Sequence, residues 1–434
     1  MSRFRAKSTA RRVSRALCLA GVMLGGVSCR DEPTEPAAPA APGVSLATAS
    51  VPLAFAQVSG GGDHTCGITT GDRAYCWGFN SGGQLGDGTT HYRTTPVAVL
   101  GGLFFRQVSA GEEHTCGVTL DYKAYCWGVN GTGRLGDGTT TSRLKPVLVA
   151  GGRQFRQVDA GALYSCGLTR DNRAFCWGSN YFAQLGDGTR TQRLTPVRVA
   201  GGLLFAQLSA GNSHTCAVTG AHQAFCWGSN RSGEVGDSST VRTRLAPSLV
   251  AGGHLFTQVA VGTQQASGHS CGVTTDFRAF CWGDGANGQI GDGKIYQRFV
   301  PRAVAGGLSF KAVSAGQAHS CGVTTINQAF CWGFNGWGGL GDGTTTSRLK
   351  PVAVHGGHSF DRLSAGSVFT CAKTPSSVAY CWGYNIAGPL GDGTTTNRLE
   401  PVAVHGPCEV TPCTPNAVDA VGRVRSHAGC WPRS

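Results

Sequence analysis

Cys116-Gly117-Val118-Thr119-Leu120-Asp121-Tyr122-Lys123-Ala124-Tyr125-Cys126-Trp127-Gly128 decides how this chain folds. A three-residue turn centred on Asp121 sets Cys116 directly across two antiparallel strands from Cys126, with Val118 and Ala124 on the same side of the sheet. Two cysteines facing each other in this way are within reach of a disulfide. The same register puts Gly117 opposite Tyr125. The motif recurs with Cys66 and Cys76, Cys166 and Cys176, Cys216 and Cys226, Cys271 and Cys281, Cys321 and Cys331, and Cys371 and Cys381, every fifty residues except for one interval of fifty-five. In every copy a small residue faces an aromatic one: Gly67, Gly117, Gly167, Ala217, Gly272, Gly322 and Ala372 against Tyr75, Tyr125, Phe175, Phe225, Phe280, Phe330 and Tyr380. A fixed period of this length marks a repeat architecture, so one stacked or closed body is expected rather than several ordinary domains.

Nine residues separate the cysteines of each pair, too many for a zinc knuckle, which wants about two to four. We therefore expect seven disulfides within hairpins, as an oxidising compartment allows. Cys18, Cys29, Cys408, Cys413 and Cys430 remain outside the repeat.

The compartment is written at the N-terminus. Arg3, Arg5, Lys7, Arg11, Arg12 and Arg15 form a basic region, Ala16 to Val27 an apolar one, and Ser28-Cys29 a small-residue cleavage site, the pattern of an export signal over residues 1–28. Gly25-Gly26-Val27-Ser28-Cys29 resembles a bacterial lipobox, which implies that Cys29 carries lipid. Residues 29–50, rich in Pro and Ala, read as an extended spacer. Residues 51–406 hold the repeat, and 407–434 read as an irregular Cys-containing tail. The formal net charge is +13, of which six charges lie in the acid-free signal, leaving the mature chain near +7. No Lys/Arg-dense run is present, so nucleic acid is not an expected partner and the charge reads as a solubility feature.

With 67 glycines and few helix formers, the repeat is all-β. Between hairpins lies Pro96 to Gly111, an apolar PVxV strand, a Gly-Gly turn and a second strand. Gly-Gly between two such runs reads as a hairpin, so each sheet is expected to hold four strands: PVxV, FxQVSAG, HTCGVT and AYCWG. The array begins without a matching PVxV strand and ends on Pro401 to Val404 without a sheet of its own. The expected fold is a seven-bladed β-propeller of four-stranded blades, closed by the C-terminal strand completing the first blade.

The runs A-G-x-x-H-T-C-G-V-T, A-Y-C-W-G-x-N and G-x-L-G-D-G-T resemble the repeat of the regulator of chromosome condensation family, a match that spans all seven units over about 350 residues. The resemblance implies a seven-bladed propeller. The eukaryotic members exchange nucleotide on a nuclear GTPase at chromatin, whereas the paired cysteines, export signal and Cys29 suit an exported bacterial type. Exported relatives include proteinaceous enzyme inhibitors that bind through propeller loops.

Strand direction gathers the A-G-x-x-H connections and the long loops before each Pro on one face. Where the copies disagree there, binding residues are expected: Glu112, Glu113, Tyr164, Tyr181, Phe182, Gln264, Gln265, Trp337, Phe369 and Ile386. Repeated polar residues read as structural. Asp87 and its six equivalents stabilise turns, Arg93 and its equivalents pair with the nearby Asp or with loop carbonyls, and His64, His114, His214, His269 and His319 make structural hydrogen bonds. The seven Trp pack between blades. No unit holds a singular Ser/His/Asp, Cys/His or paired-carboxylate set, so no catalytic residue, cofactor or metal is expected. The expectation is a monomeric, non-enzymatic binding protein of the periplasm or cell surface, secreted if Cys29 is not acylated. Its partner is another protein, and it meets the membrane only through a lipid anchor. The alternative is a cell-envelope carbohydrate-binding module.

Overall fold

A computed structural model describes residues 53–262 and 268–406. Within these, 28 strands form seven four-stranded antiparallel sheets arranged as the blades of a propeller. Blade 1 consists of Phe55–Gly60, His64–Thr69, Ala74–Gly78 and Arg93–Ala98, paired in that order. Blade 7 repeats it with Arg362–Ala365, Phe369–Lys373, Ala379–Gly383 and Arg398–Ala403. The first strands line the centre and the fourth lie at the rim.

The hairpin register is the one the sequence implies. Cys116 faces Cys126, Gly117 faces Tyr125 and Val118 faces Ala124. All seven cystines are formed, one within each blade: Cys66 with Cys76, Cys116 with Cys126, Cys166 with Cys176, Cys216 with Cys226, Cys271 with Cys281, Cys321 with Cys331 and Cys371 with Cys381. The turn closes through Tyr122 N donating to Thr119 O, with Tyr122 at φ 66°, a type I turn followed by a left-handed residue. The structure changes the reason for the small residue, however. A Cβ on Gly117 would lie 2.7 Å from the ring of Phe105 on the first strand, so the glycine clears that ring rather than Tyr125.

Two expectations fail together. The PVxV strand does not pair with the strand after Gly-Gly, and the C-terminal strand does not complete the first blade. Each fourth strand pairs with the third strand of its own blade, Val97 with Cys76 and, in blade 7, Val402 with Cys381. Beyond Ala98 the chain is still held to blade 1, Val99 N donating to Ala74 O and Leu100 N to Gly86 O. Gly101 and Gly102, at φ 104° and 66°, then redirect it to the next blade. Positive φ at two successive glycines serves a crossover as well as a hairpin. Pro96 suits a rim strand, where a missing N–H leaves no neighbour unpaired. The sorting of connections survives, because moving a strand between sheets leaves its direction unchanged: A-G-x-x-H and the long loops leave one face, T-x-D and Gly-Gly the other.

The ring closes instead by repeating one packing unit seven times. Each core cluster joins the cystine of one blade to the Phe and Trp of the next, as Cys66, Cys76 and Leu85 join Phe105, Val108 and Trp127. The last cluster joins Cys371, Cys381 and Leu390 to Phe55, Val58 and Trp77. At every seam the indole lies against a loop glycine of the preceding blade, Gly86 against Trp127 and finally Gly391 against Trp77. In six of the seven the indole N–H also donates to a carbonyl of that loop. Gly391 is at φ 70°, and a Cβ there would lie 2.6 Å from Trp77 Nε1. Gly391→Ala is therefore expected to cost about 2–4 kcal/mol, overpacking added to left-handed strain. Chemical denaturation measures this, and a loss below about 1 kcal/mol would mean that the indole yields to the methyl group.

Candidate functional site

The long loops are built on one polar device. Asn80 Nδ2 donates to Asp87 Oδ1, Thr89 O and His91 O, while Asn80 Oδ1 accepts from Leu85 N. Arg93 Nε and Nη2 donate to Asp87 Oδ2 at 3.0 and 2.8 Å. The Asp–Arg pair is present in all seven blades, which leaves no ring of free guanidinium groups at these positions. Burial alone would raise the Asp87 carboxyl, but the Thr89 hydroxyl and the Arg93 guanidinium hold it below the ordinary carboxylate range. In blade 5 Gly285 takes the Asn position, where a Cβ would lie 2.2 Å from Tyr296 O.

Beneath these loops the blades are tied by imidazoles. Thr115 Oγ1 donates to Gln84 O, so its contact of 2.8 Å with His64 Nε2 has the imidazole N–H as donor. His114, His214, His269 and His319 repeat the arrangement on Ser165, Ser270, Ser320 and Thr370. All five are buried, and burial lowers the pKa of His64, His214 and His269 to about 3 and that of His319 to about 4.

The same position holds Tyr164 in blade 3 and Phe369 in blade 7, both fully buried. Tyr164 OH donates to His214 O at 2.6 Å, and Phe369 joins the closing core. Neither reaches the surface, which corrects their place among the expected binding residues: they are ring-for-ring replacements of a buried imidazole. The other residues differ in setting. Glu113 contacts the buried Arg134 at 3.4 Å, and Glu112 lies beside it, half-buried. Tyr181 is 68% exposed and meets Phe182 edge-on at 4.9 Å, with Arg231 5.4 Å over the Phe182 ring. Trp337 is 42% exposed against Tyr384 at 5.6 Å, and Ile386 is 61% exposed. Gln264, Gln265 and Cys29 lie outside the described residues.

Around the axis a channel of about 530 Å³ is lined by all seven first strands. Five glutamines span its seams: Gln57 Nε2 donates to Val108 O while Gln57 Oε1 accepts from Val108 N, and Gln107, Gln157, Gln207 and Gln258 do likewise. The ladder stops at Ala312 and Arg362. Asp159 stands where most blades have Ser, accepting from Ser109 Oγ and Ala210 N. Burial pushes its carboxyl up to about 6 against those hydrogen bonds.

The seven blades share one strand order and carry their long loops on one face. Residues 21–309 match the RCC1-like domain, and residues 310–338 match the regulator of chromosome condensation (RCC1) repeat. The chain belongs to the RCC1-like domain family. Among solved structures this RCC1-like propeller is similar to human WBSCR16, at 21% identity and a TM-score of 0.70 over 77% of this chain and 95% of that one. It is also similar to Prp20p of Saccharomyces cerevisiae, at 19% identity and a TM-score of 0.67 over 82% and 88% of the two chains. A third likeness is to yeast RCC1 (Prp20) bound to Kap60, at 18% identity and a TM-score of 0.68 over 87% and 92%. At these identities the likeness shows the fold. No curated protein matches the chain by sequence.

The polar residues that organise this RCC1-like propeller were visible only as repetition. Asn of W-G-x-N and Gln of F-x-Q recur in most blades, yet nothing in their spacing says that one centres a loop and the other spans a seam.

Proposed function

We propose that this protein is an exported, membrane-tethered, non-enzymatic propeller that binds another protein with its long-loop face. The observation that carries the reading is the set of locked, exposed aromatics on that face. Tyr181 is held against Phe182, and Trp337 against Tyr384, so each presents apolar surface with little side-chain freedom left to lose on binding. They stand on loops that the Asn–Asp–Arg device makes rigid, and they differ from blade to blade where the scaffold does not. Among the similar structures, Prp20p is described with its binding to Gsp1p and histones, and yeast RCC1 with Kap60 bound to it. Export rests on residues 1–28, tethering on Cys29 and the spacer that follows, and both agree with seven cystines, which persist in oxidising compartments.

The test is capture of a protein partner from the envelope fraction by the full chain, followed by the triple variant Tyr181→Ala, Phe182→Ala, Trp337→Ala. Hot-spot aromatics cost about 2 kcal/mol or more each on truncation, so the variant is expected to bind at least about thirtyfold more weakly. Undiminished capture would move the interface off this face. Cys29→Ser should release the protein into the soluble fraction; a variant that stays with the membrane removes the lipid anchor from the reading.

A further inference from the structure

The opposite face, that of the T-x-D turns and Gly-Gly crossovers, breaks the sevenfold pattern in one sector. Blades 2 and 3 place six cationic side chains there, Arg106, Lys123, Arg153, Arg156, Arg170 and Arg173, against two carboxylates, Asp121 and Asp171. Blade 4 shows what the scaffold alone requires: its residues at the positions of Arg153, Arg156, Arg170 and Arg173 are Leu203, Ala206, Gly220 and Gln223. Arg153 and Arg170 have no Lys or Arg counterpart in any other blade and are additions to the fold, whereas the positions of Arg156 and Arg173 are cationic in other blades too.

Both carboxylates are already paired, Asp121 with Lys123 at 2.8 Å and Asp171 with Arg173 at 2.6 Å. Among the described residues Arg106, Arg153, Arg156 and Arg170 make no ion pair. They are nevertheless held in place. Arg106 and Arg170 share the ring of Tyr122, their Cζ atoms 4.2 and 4.5 Å from its centroid. Arg170 Nη1 donates to Gln154 Oε1, and Arg153 lies 4.5 Å over Phe175. Arg156 is fixed by Asn172 Oδ1 and by the carbonyls of Phe205 and Ala206. Stacking on a ring fixes a guanidinium plane while leaving its N–H edge free. Beside these groups lies a concavity of about 450 Å³, lined by Arg153, Gln154, Thr169, Arg170, Asp171, Arg173 and Phe175. The positive field there is felt by Tyr122, whose hydroxyl is held below its ordinary range by the hydrogen bond and the charge of Arg106, and then by the charge of Arg170.

We propose that this concavity binds a phosphate-bearing ligand. One carboxylate is satisfied by the fork of a single arginine, whereas several guanidinium groups around one hollow match a group with two negative charges and three free oxygens. Arg153 and Arg170 supply the direct donors, and Arg106, through the shared Tyr122 ring, is a positioning residue. The site is on the face away from the long loops and stands independently of the partner-binding reading. Its phosphate comes from a soluble compound or from a lipid headgroup.

The experiment is titration of the full chain with inorganic phosphate at constant ionic strength, alongside co-flotation with phosphatidic acid and phosphatidylcholine vesicles. Saturable phosphate binding is expected to weaken by about tenfold or more in Arg153→Gln/Arg170→Gln. Tyr122→Leu keeps every charge and removes the platform, and is expected to weaken binding about threefold or more. Retention on phosphatidic acid but not phosphatidylcholine vesicles supports the site with a headgroup as source, and phosphate binding without vesicle retention supports it with a soluble source. Binding that survives the double arginine variant overturns the proposal. So does a chain that neither binds phosphate nor prefers phosphatidic acid, provided its seven cystines and its β-sheet circular dichroism are intact.

Discussion

Complete reduction of the seven cystines is expected to unfold the propeller at temperatures where the oxidised protein is fully folded. Each cystine closes a short loop, ten residues from Cys to Cys, and in the chain-entropy model a loop of that size contributes about 2–3 kcal/mol. Less than half of the seven contributions would equal the whole net stability of a typical folded protein, about 5–15 kcal/mol. The effect goes beyond the unfolded state, because every cystine lies in a seam cluster and touches the next blade's Phe and Trp. All fourteen sulfurs are buried, so a reductant should act slowly on the native protein and fast once denaturant opens it. The measurement is a pair of denaturant titrations, with and without phosphine reductant, accompanied by thiol counting. A midpoint unchanged after reduction has added fourteen thiols from the seven pairs, those of the cysteines outside the repeat being counted separately, would remove the disulfides from the account of stability.

How much was legible follows from what each residue depends on. The Cys116–Cys126 register was readable because strand alternation and a three-residue turn leave one in-phase solution, and the structure has it. Arg93 was legible only as pairing with the nearby Asp or with loop carbonyls, because six residues of loop bring Asp87 within its reach without excluding the carbonyls; the structure has the Asp87 pair. The partner of the fourth strand was not, because Gly101-Gly102 carries a real backbone signal, positive φ, that does not distinguish a hairpin from a crossover. Only Val99 and Leu100, still bonded to their own blade, decide it, and those bonds depend on tertiary position. Tyr164 and Phe369 read as variable loop residues although they occupy the His position; the presence of a flat ring at that position in every blade, His, Tyr or Phe, was the available sign of burial. The arginine sector was not legible at all. Its members are spread from Arg106 to Arg173 over one crossover, two turns and two strand starts, and only the ring brings them onto one face.

Acidification is the other large effect, and its onset should come earlier than carboxylate protonation alone would give. His64, His114, His214, His269 and His319 are neutral in the fold, and burial depresses all five, to about 3 for His64, His214 and His269 and about 4 for His319. Unfolded, each titrates near 6.5. A base with a depressed folded pKa leaves the unfolded chain with more protons, so its contribution is whole above about pH 6.5 and is lost as pH falls toward the folded value. The loss is roughly 1.4 kcal/mol per pH unit for each histidine that stays neutral. Three acids oppose it: burial raises Asp159, to about 6, and also Asp63 and Glu234, and groups of that kind favour the fold as pH falls toward the unfolded value near 4. Five histidines outweigh three acids, two of them carrying several compensating hydrogen bonds. The loop carboxylates such as Asp87, held low in the fold, begin to cost only below about pH 4. The melting temperature is therefore expected to fall from about pH 6.5 downward and more steeply below about pH 4. Blades 3 and 7 supply the control, since Tyr164 and Phe369 fill the histidine site with rings that do not titrate in this range. His319→Phe, which copies the ring found in blade 7, should flatten the slope between pH 6.5 and 4 by up to one proton, whatever it does to stability at neutral pH. A slope identical to that of the parent chain would place the acid sensitivity elsewhere than in the imidazole ring of seams.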